Sequence, residues 1–192
     1  MFNIEQFKTQ GLTYGGARPT LFQVELVTPF ASQSGATAKF SFACRASQVP
    51  PSSIESINVP YFGRKVKVAG DRTFPDWSVT IMNDEDFLVR NMFEQWSNYI
   101  NSHVGNLKTL VGNTYKSNDA LVTQFSKDGD AIKSYRFASI WPNEVGAMEL
   151  DWDSTNTIQN FPVTFSYDYW EPITTSGLII DTGGAGQLGT GR

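Results

Sequence analysis

Two stretches of this sequence have the spacing of reactive sites. Asp151-Trp152-Asp153-Ser154-Thr155 follows the D-x-D-x-T pattern of aspartyl phosphotransferases. That chemistry needs a nucleophilic carboxylate at a strand end, a magnesium site and a downstream lysine, and no lysine follows Lys133. Read as a calcium loop, the run lacks glycine at Asn156 and has Pro162 at its twelfth position, where a bidentate glutamate belongs. The expectation is an acidic turn between strands. Gly184-Ala185-Gly186-Gln187-Leu188-Gly189 matches G-x-G-x-x-G, which binds a pyrophosphate only between a strand and a helix N-terminus. Three residues after Gly189 cannot make that helix, so no dinucleotide site is expected. His103 is the only histidine and Cys44 the only cysteine. They exclude two-imidazole metal sites, cysteine-based zinc clusters and internal disulfides. A serine triad would have to run through His103 alone. No enzyme, metal or cofactor is expected.

The elements that hold these residues read as mostly β. The 192 residues are 40% hydrophobic, 14% aromatic and 18% charged, enough apolar material for the core of one domain with arms. Fourteen Phe, seven Tyr and five Trp suit broad aromatic sheet faces and surface buried against partners. No apolar run approaches the ~18 residues of a membrane span. The start, Met1 to Gln6, lacks the basic-then-apolar plan of a signal peptide, so a cytoplasmic, soluble protein is expected.

Residues 1–18 read as an N-terminal arm with about one helical turn. Phe22, Val24 and Leu26 alternate with polar residues, predicting a strand. Phe40, Phe42 and Cys44 alternate in the same way and predict a second strand, with Cys44 as a small buried hydrophobe. Two β runs, 56–68 and 73–82, flank Ala69-Gly70-Asp71-Arg72, which reads as a hairpin turn, and Pro75 marks a bulge or an edge. Residues 84–101 are the one clear helix: Asn83 suits the N-cap, and Leu88, Met92, Trp96 and Tyr99/Ile100 recur at helical spacing. Asp128-Gly129-Asp130 predicts a hairpin between strands 119–127 and 131–141. Phe161, Val163, Phe165, Tyr167 and Tyr169 predict a strand over 161–169. Residues 172–192 read as a glycine-rich tail whose Leu178-Ile179-Ile180 a partner would bury.

Charge is unevenly placed. Residues 1–136 carry 14 basic and 12 acidic side chains, a net +2; residues 137–192 carry one basic and seven acidic, a net −6. An acidic surface repels phosphate, so tight nucleic-acid binding is not expected there. Arg64, Lys65, Lys67 and Arg72 form a small basic cluster.

Three stretches together are more specific. They are Arg18-Pro19-Thr20-Leu21-Phe22-Gln23-Val24; Gly63 to Phe74 with Asp76-Trp77-Ser78-Val79-Thr80-Ile81-Met82-Asn83-Asp84; and Trp141-Pro142-Asn143-Glu144-Val145-Gly146 with Leu150 to Ser154, Ile158-Gln159, Phe161 and Asp168-Tyr169-Trp170-Glu171. In this order they resemble the tail tube family of T-even-like contractile-tail bacteriophages, over residues 18–171. The resemblance implies a mainly β domain, 19–171, of two packed antiparallel sheets with one flanking helix. It implies that six copies close into a ring around a shared β-barrel and that rings stack inside a sheath. The implied partners are further copies, the sheath, tape measure, baseplate and tail terminator proteins, and DNA passing without specific binding. The implied place is the virion tail, assembled in the host cytoplasm. The same fold in a phage-derived injection machine or type VI secretion tube, carrying protein effectors, is the alternative. On charge placement, the hairpin 63–74 and the N-terminal arm are expected at ring-to-ring contacts. There Arg64, Lys65, Lys67 and Arg72 would meet acids such as Asp84, Glu85 or Asp151 of a neighbour. Glu149, Asp151 and Asp153 are expected on an acidic surface or the lumen.

Overall fold

Phe161, Val163 and Phe165 are fully buried and Pro162 between them is exposed, the rhythm of a strand with one face on a core. In the computed structural model, which describes residues 3–12, 14–30, 35–108, 112, 114–117 and 119–173, it is one of ten strands. They are β1 (Phe22–Leu26), β2 (Cys44–Ser47), β3 (Ser53–Tyr61), β4 (Arg64–Thr73), β5 (Trp77–Met82), β6 (Ala120–Phe125), β7 (Ala131–Ala138), β8 (Trp141–Val145), β9 (Asn160–Ser166) and β10 (Tyr169–Ile173). Helices are α1 (Ile4–Gln6), continued by a wider turn over Phe7–Gly11, α2 (Ala36–Ala43) and α3 (Leu88–Ile100).

Every strand pairing is antiparallel. One sheet runs β1-β6-β7-β10, a second β2-β5-β9-β8, and β3-β4 stands apart as a third. The first two pack face to face. Val24, Leu26, Ala120, Val122 and Phe137 of one sheet meet Trp77, Val79, Ile81, Phe161, Val163 and Phe165 of the other. Trp77 lies flat on Phe137, ring centroids 4.4 Å apart. Its indole N–H donates to Ser47 Oγ at 3.1 Å, so burying the ring strands no donor. Helix α2 rests on β1 and α3 on β8. Phe40 of α2 and Phe93 of α3 meet edge to face at 5.6 Å, and Trp96 donates to the Tyr115 carbonyl at 2.8 Å.

Four expectations are corrected. Residues 36–43 form a helix, not a strand, so two helices flank the sheets rather than one. Ala36, Phe40 and Ala43 are the buried positions, a spacing of four and three, and Phe42 is 79% exposed. The helix α3 starts at Leu88 rather than 84. The Asp84 carboxylate accepts from Glu85 N–H and Asp86 Oδ1 from Leu88 N–H, making a turn of 84–87, and Phe87 sits at φ 52°, outside the helical region. Asn83 does not cap it; its amide donates to Gln159 Oε1 at 2.8 Å.

The hairpin turn is Phe62-Gly63, not Gly70-Asp71. Gly70 lies inside β4, in a bulge of Gly70-Asp71 opposite Glu55, where an added Cβ would stand 3.0 Å from the Glu55 carbonyl oxygen. Finally, the 161–169 alternation spans a corner. Strand β9 ends at Ser166, and the chain crosses at Tyr167-Asp168 to pair β10 with β7 in the other sheet. Tyr167 O–H donates to the Pro75 carbonyl at 2.7 Å and Asp168 N–H to the Ala138 carbonyl at 3.1 Å, which anchor that corner. The tail readings, including the glycine motif and Leu178-Ile179-Ile180, fall outside the described residues.

Candidate assembly surfaces

Strands β3 and β4 pair with each other and with no other strand. Nine residues at about 3.4 Å each make a ribbon of about 30 Å. Its register sorts the side chains. Ile57 faces Val68, Val59 faces Val66 and Tyr61 faces Arg64, so one face is an aliphatic stripe with an aromatic end. Asn58 faces Lys67 and Pro60 faces Lys65 on the other face. Both faces are exposed, Ile57, Val59, Val66 and Val68 among them. Outside a partner, such a stripe is a liability that a solitary protein would not keep.

The expected basic cluster is therefore divided. Lys65 and Lys67 lie on the polar face, and Arg72, paired with Ile54 beyond the bulge, shares it, while Arg64 lies on the aliphatic face at the turn end. The aliphatic stripe itself had been missed. Its signal was present: Ile57-x-Val59-x-Tyr61 and Arg64-x-Val66-x-Val68 flank Phe62-Gly63 with period two.

The expected acids also have local work. Lys39 of α2 donates to both Asp84 and Asp86 in the turn before α3. The Lys39 pKa is raised above its ordinary 10.5, by Asp84 first and then Asp86. Both carboxyls are held below the usual carboxylate range, by Lys39 first, with the Glu85 N–H helping at Asp84 and the Leu88 N–H at Asp86. Depressed carboxylates stabilise the fold fully above their unfolded pKa, about 3.9, and lose that contribution as pH falls through the lower folded value. The raised lysine loses its share only when pH climbs past its folded pKa. Lys39→Met should therefore be less stable than the parent at pH 7. The gap should close as pH drops below about 4 and shrink in high salt, read as urea midpoints across a pH series.

Glu149, Asp151 and Asp153 lie in the exposed connection between β8 and β9, as does Trp152. Asp151 accepts from its own loop, from Asp153 N–H at 3.1 Å and Ser154 Oγ at 3.3 Å. This is the acidic turn expected from the residues, and among the described residues no cluster of three or more metal-ligating side chains occurs. Other acids of the C-terminal third are paired: Asp168 with Lys116 at 3.1 Å, and Glu171 with Arg136 at 3.6 Å, which also holds Asp119 at 3.0 Å. Cys44 is half-buried against the core, and burial pushes its thiol pKa up to about 12, so it is a packing residue and a poor nucleophile. His103 is exposed in the loop after α3.

Among the described residues, no strand pairs on the outer side of β1 and β10 in one sheet or of β2 and β8 in the other. The profile of the phage tail tube protein family matches residues 17–172. The chain belongs to the phage tail tube protein family. This tail tube protein is 42% identical over 156 residues to the tail tube protein gp19 of Enterobacteria phage T4, covering 81% of this chain and 91% of that one. It is 24% identical to the tail tube protein of Serratia phage KSP90, over 87% and 95% of the two chains. Its fold is similar to a chain of the anti-feeding prophage baseplate, with a TM-score of 0.61 and 11% identity over 83% of this chain and 96% of that one. It is also similar to a chain of the sheath-tube complex of an extracellular contractile injection system, with a TM-score of 0.55 and 13% identity over 91% and 99%. The tail tube protein is a structural component of the phage tail, not an enzyme.

Proposed function

We propose that six copies of this tail tube protein close into a ring whose open sheet edges pair between neighbours, and that rings stack head-to-tail into the inner tube of a contractile tail. The single observation that carries this reading is the β3–β4 ribbon, exposed on both faces and aliphatic on one. Closing a barrel removes unpaired edges, and a head-to-tail contact that does not close generates a filament. The tube would lie inside a sheath, be nucleated by a baseplate and ended by a terminator, hold the tape measure protein, and then conduct DNA. Glu149, Asp151 and Asp153 stand on an exposed loop and carry charge that suits a lumen from which phosphate must slide free. The 42% identity to the phage T4 protein, against 11–13% to chains of injection systems, favours DNA over protein effectors as cargo.

Electron microscopy of the purified protein, with and without baseplates, tests the reading: rings and tubes are expected, and a protein that stays monomeric under both conditions rejects it. For the inter-ring contact, Arg64, Lys65, Lys67 and Arg72 would face Glu85 or Asp151 of the next ring, with Asp84 contributing beyond its bond to Lys39. Lys65→Glu combined with Arg72→Glu should raise the concentration needed for polymerisation about tenfold at low salt, roughly the effect of 1.4 kcal/mol. Normal polymerisation of that variant would show that the ribbon's charge is not used. A map of the tube with a net-positive lumen would rule out the carboxylate lining.

A further inference from the structure

The tip of the ribbon carries a residue that the turn does not want. Phe62 and Gly63 are the two central residues of a two-residue hairpin, and both have positive φ, 41° and 77°. Such turns favour Asn-Gly, because asparagine tolerates the left-handed region and a bulky side chain does not. The Phe62 ring nonetheless sits there, 93% exposed, edge to face with Tyr61 at 4.7 Å. A strained backbone position holding an exposed aromatic is poor for the lone chain and points to a contact made elsewhere.

A matching cavity exists on the same molecule. The N-terminal arm and the β6–β7 turn line a half-open cavity of about 510 Å³, walled by Leu12, Tyr14, Leu21, Phe125 and Ile132. This is within the ~300–1,000 Å³ of ordinary ligand pockets. Its charged lining is mixed, Asp128 against Arg18 and Lys127, and a cation over an aromatic face is favourable.

The root of the ribbon and the cavity lie at different ends of β7. Phe74, directly after β4, packs on Tyr167 and Trp170 at 6.2 and 6.3 Å, and Trp170 pairs with Phe137 near the end of β7. The cavity lies by Ile132 near the start of β7, five residues or roughly 17 Å away along the strand. Tip and cavity are different surfaces of one chain, so their contact between copies is heterologous.

We propose that Phe62, with Tyr61, seats in the arm cavity of a second copy of this chain in the next ring. This rests on the tube reading above and names the contact that joins its rings. Phe62→Asn should fold at least as well as the parent, with an equal or higher melting temperature, and should form rings. Its polymerisation concentration should rise more than tenfold. Ile132→Arg, which puts a charge in the cavity, should fail in the same way. Rings of the two variants, when mixed, should join in pairs and stop, because one supplies intact cavities and the other intact tips. Tubes from Phe62→Asn at parental concentration would overturn the proposal, and so would mixed rings that never pair. A parent that makes neither rings nor tubes would instead fail the tube reading itself.

Discussion

Trp77→Ala should lower the unfolding free energy by about 3–5 kcal/mol. Trp77 is 1% exposed, stacked on Phe137 at 4.4 Å and tilted against Phe165 at 5.4 Å, so its ring is the main bridge between the two sheets. Truncation removes the ring's transfer free energy and leaves a cavity that two hydrogen-bonded sheets cannot collapse to fill. It also strands the Ser47 hydroxyl that the indole N–H now satisfies. Against a total stability of about 5–15 kcal/mol, that is about a fifth or more. Urea unfolding followed by circular dichroism should show the midpoint falling with little change in slope, and the melting temperature falling by roughly 10 °C. Trp152→Ala is the control. That ring is fully exposed on the acidic loop and should shift stability by less than about 0.5 kcal/mol.

Val66→Glu should do the reverse, sparing the fold and abolishing assembly. Val66 is half-exposed at the centre of the aliphatic stripe, opposite Val59, and packs under no other element. A carboxylate there meets water in the free chain, so the melting temperature should barely move. In a tube that buries the stripe, it loses about 1.5 kcal/mol or more of apolar burial and adds the desolvation of an unpaired charge. Together these exceed 2.8 kcal/mol, so the concentration at which tubes pellet should rise at least about a hundredfold. Salt should not rescue it, because desolvation rather than long-range charge is the cause. Lys67→Glu on the opposite face should have a smaller and salt-sensitive effect. Tubes of Val66→Glu at parental concentration would show that the stripe stays in water after assembly.

How far the residues foretold this differs from element to element. Strands β1, β5 and β9 were readable because a half-buried strand writes its burial into alternate residue types, and Phe22-x-Val24-x-Leu26 and Phe161-x-Val163-x-Phe165 have no helical reading. The hairpin at Asp128-Gly129-Asp130 was equally plain. The segment 36–43 was not, because three residues at alternate positions in a short run fit either period, and only packing of Phe40 on Phe93 chose the helix. Gly70-Asp71 reads as the turn and Gly63 as part of a strand, whereas the chain turns at Phe62-Gly63 and carries Gly70-Asp71 as a bulge opposite Glu55.

Residue order alone carried the family resemblance and the β character, since these depend on residue types and spacing along the chain. Tertiary structure decided that Lys39 grips Asp84 and Asp86 more than forty residues away, that the basic cluster splits between two faces, and that an aliphatic stripe stays uncovered. Those outcomes turn on register and on which surfaces the two sheets consume against each other. Chain spacing cannot encode them, because a shift of one residue in pairing would exchange the faces.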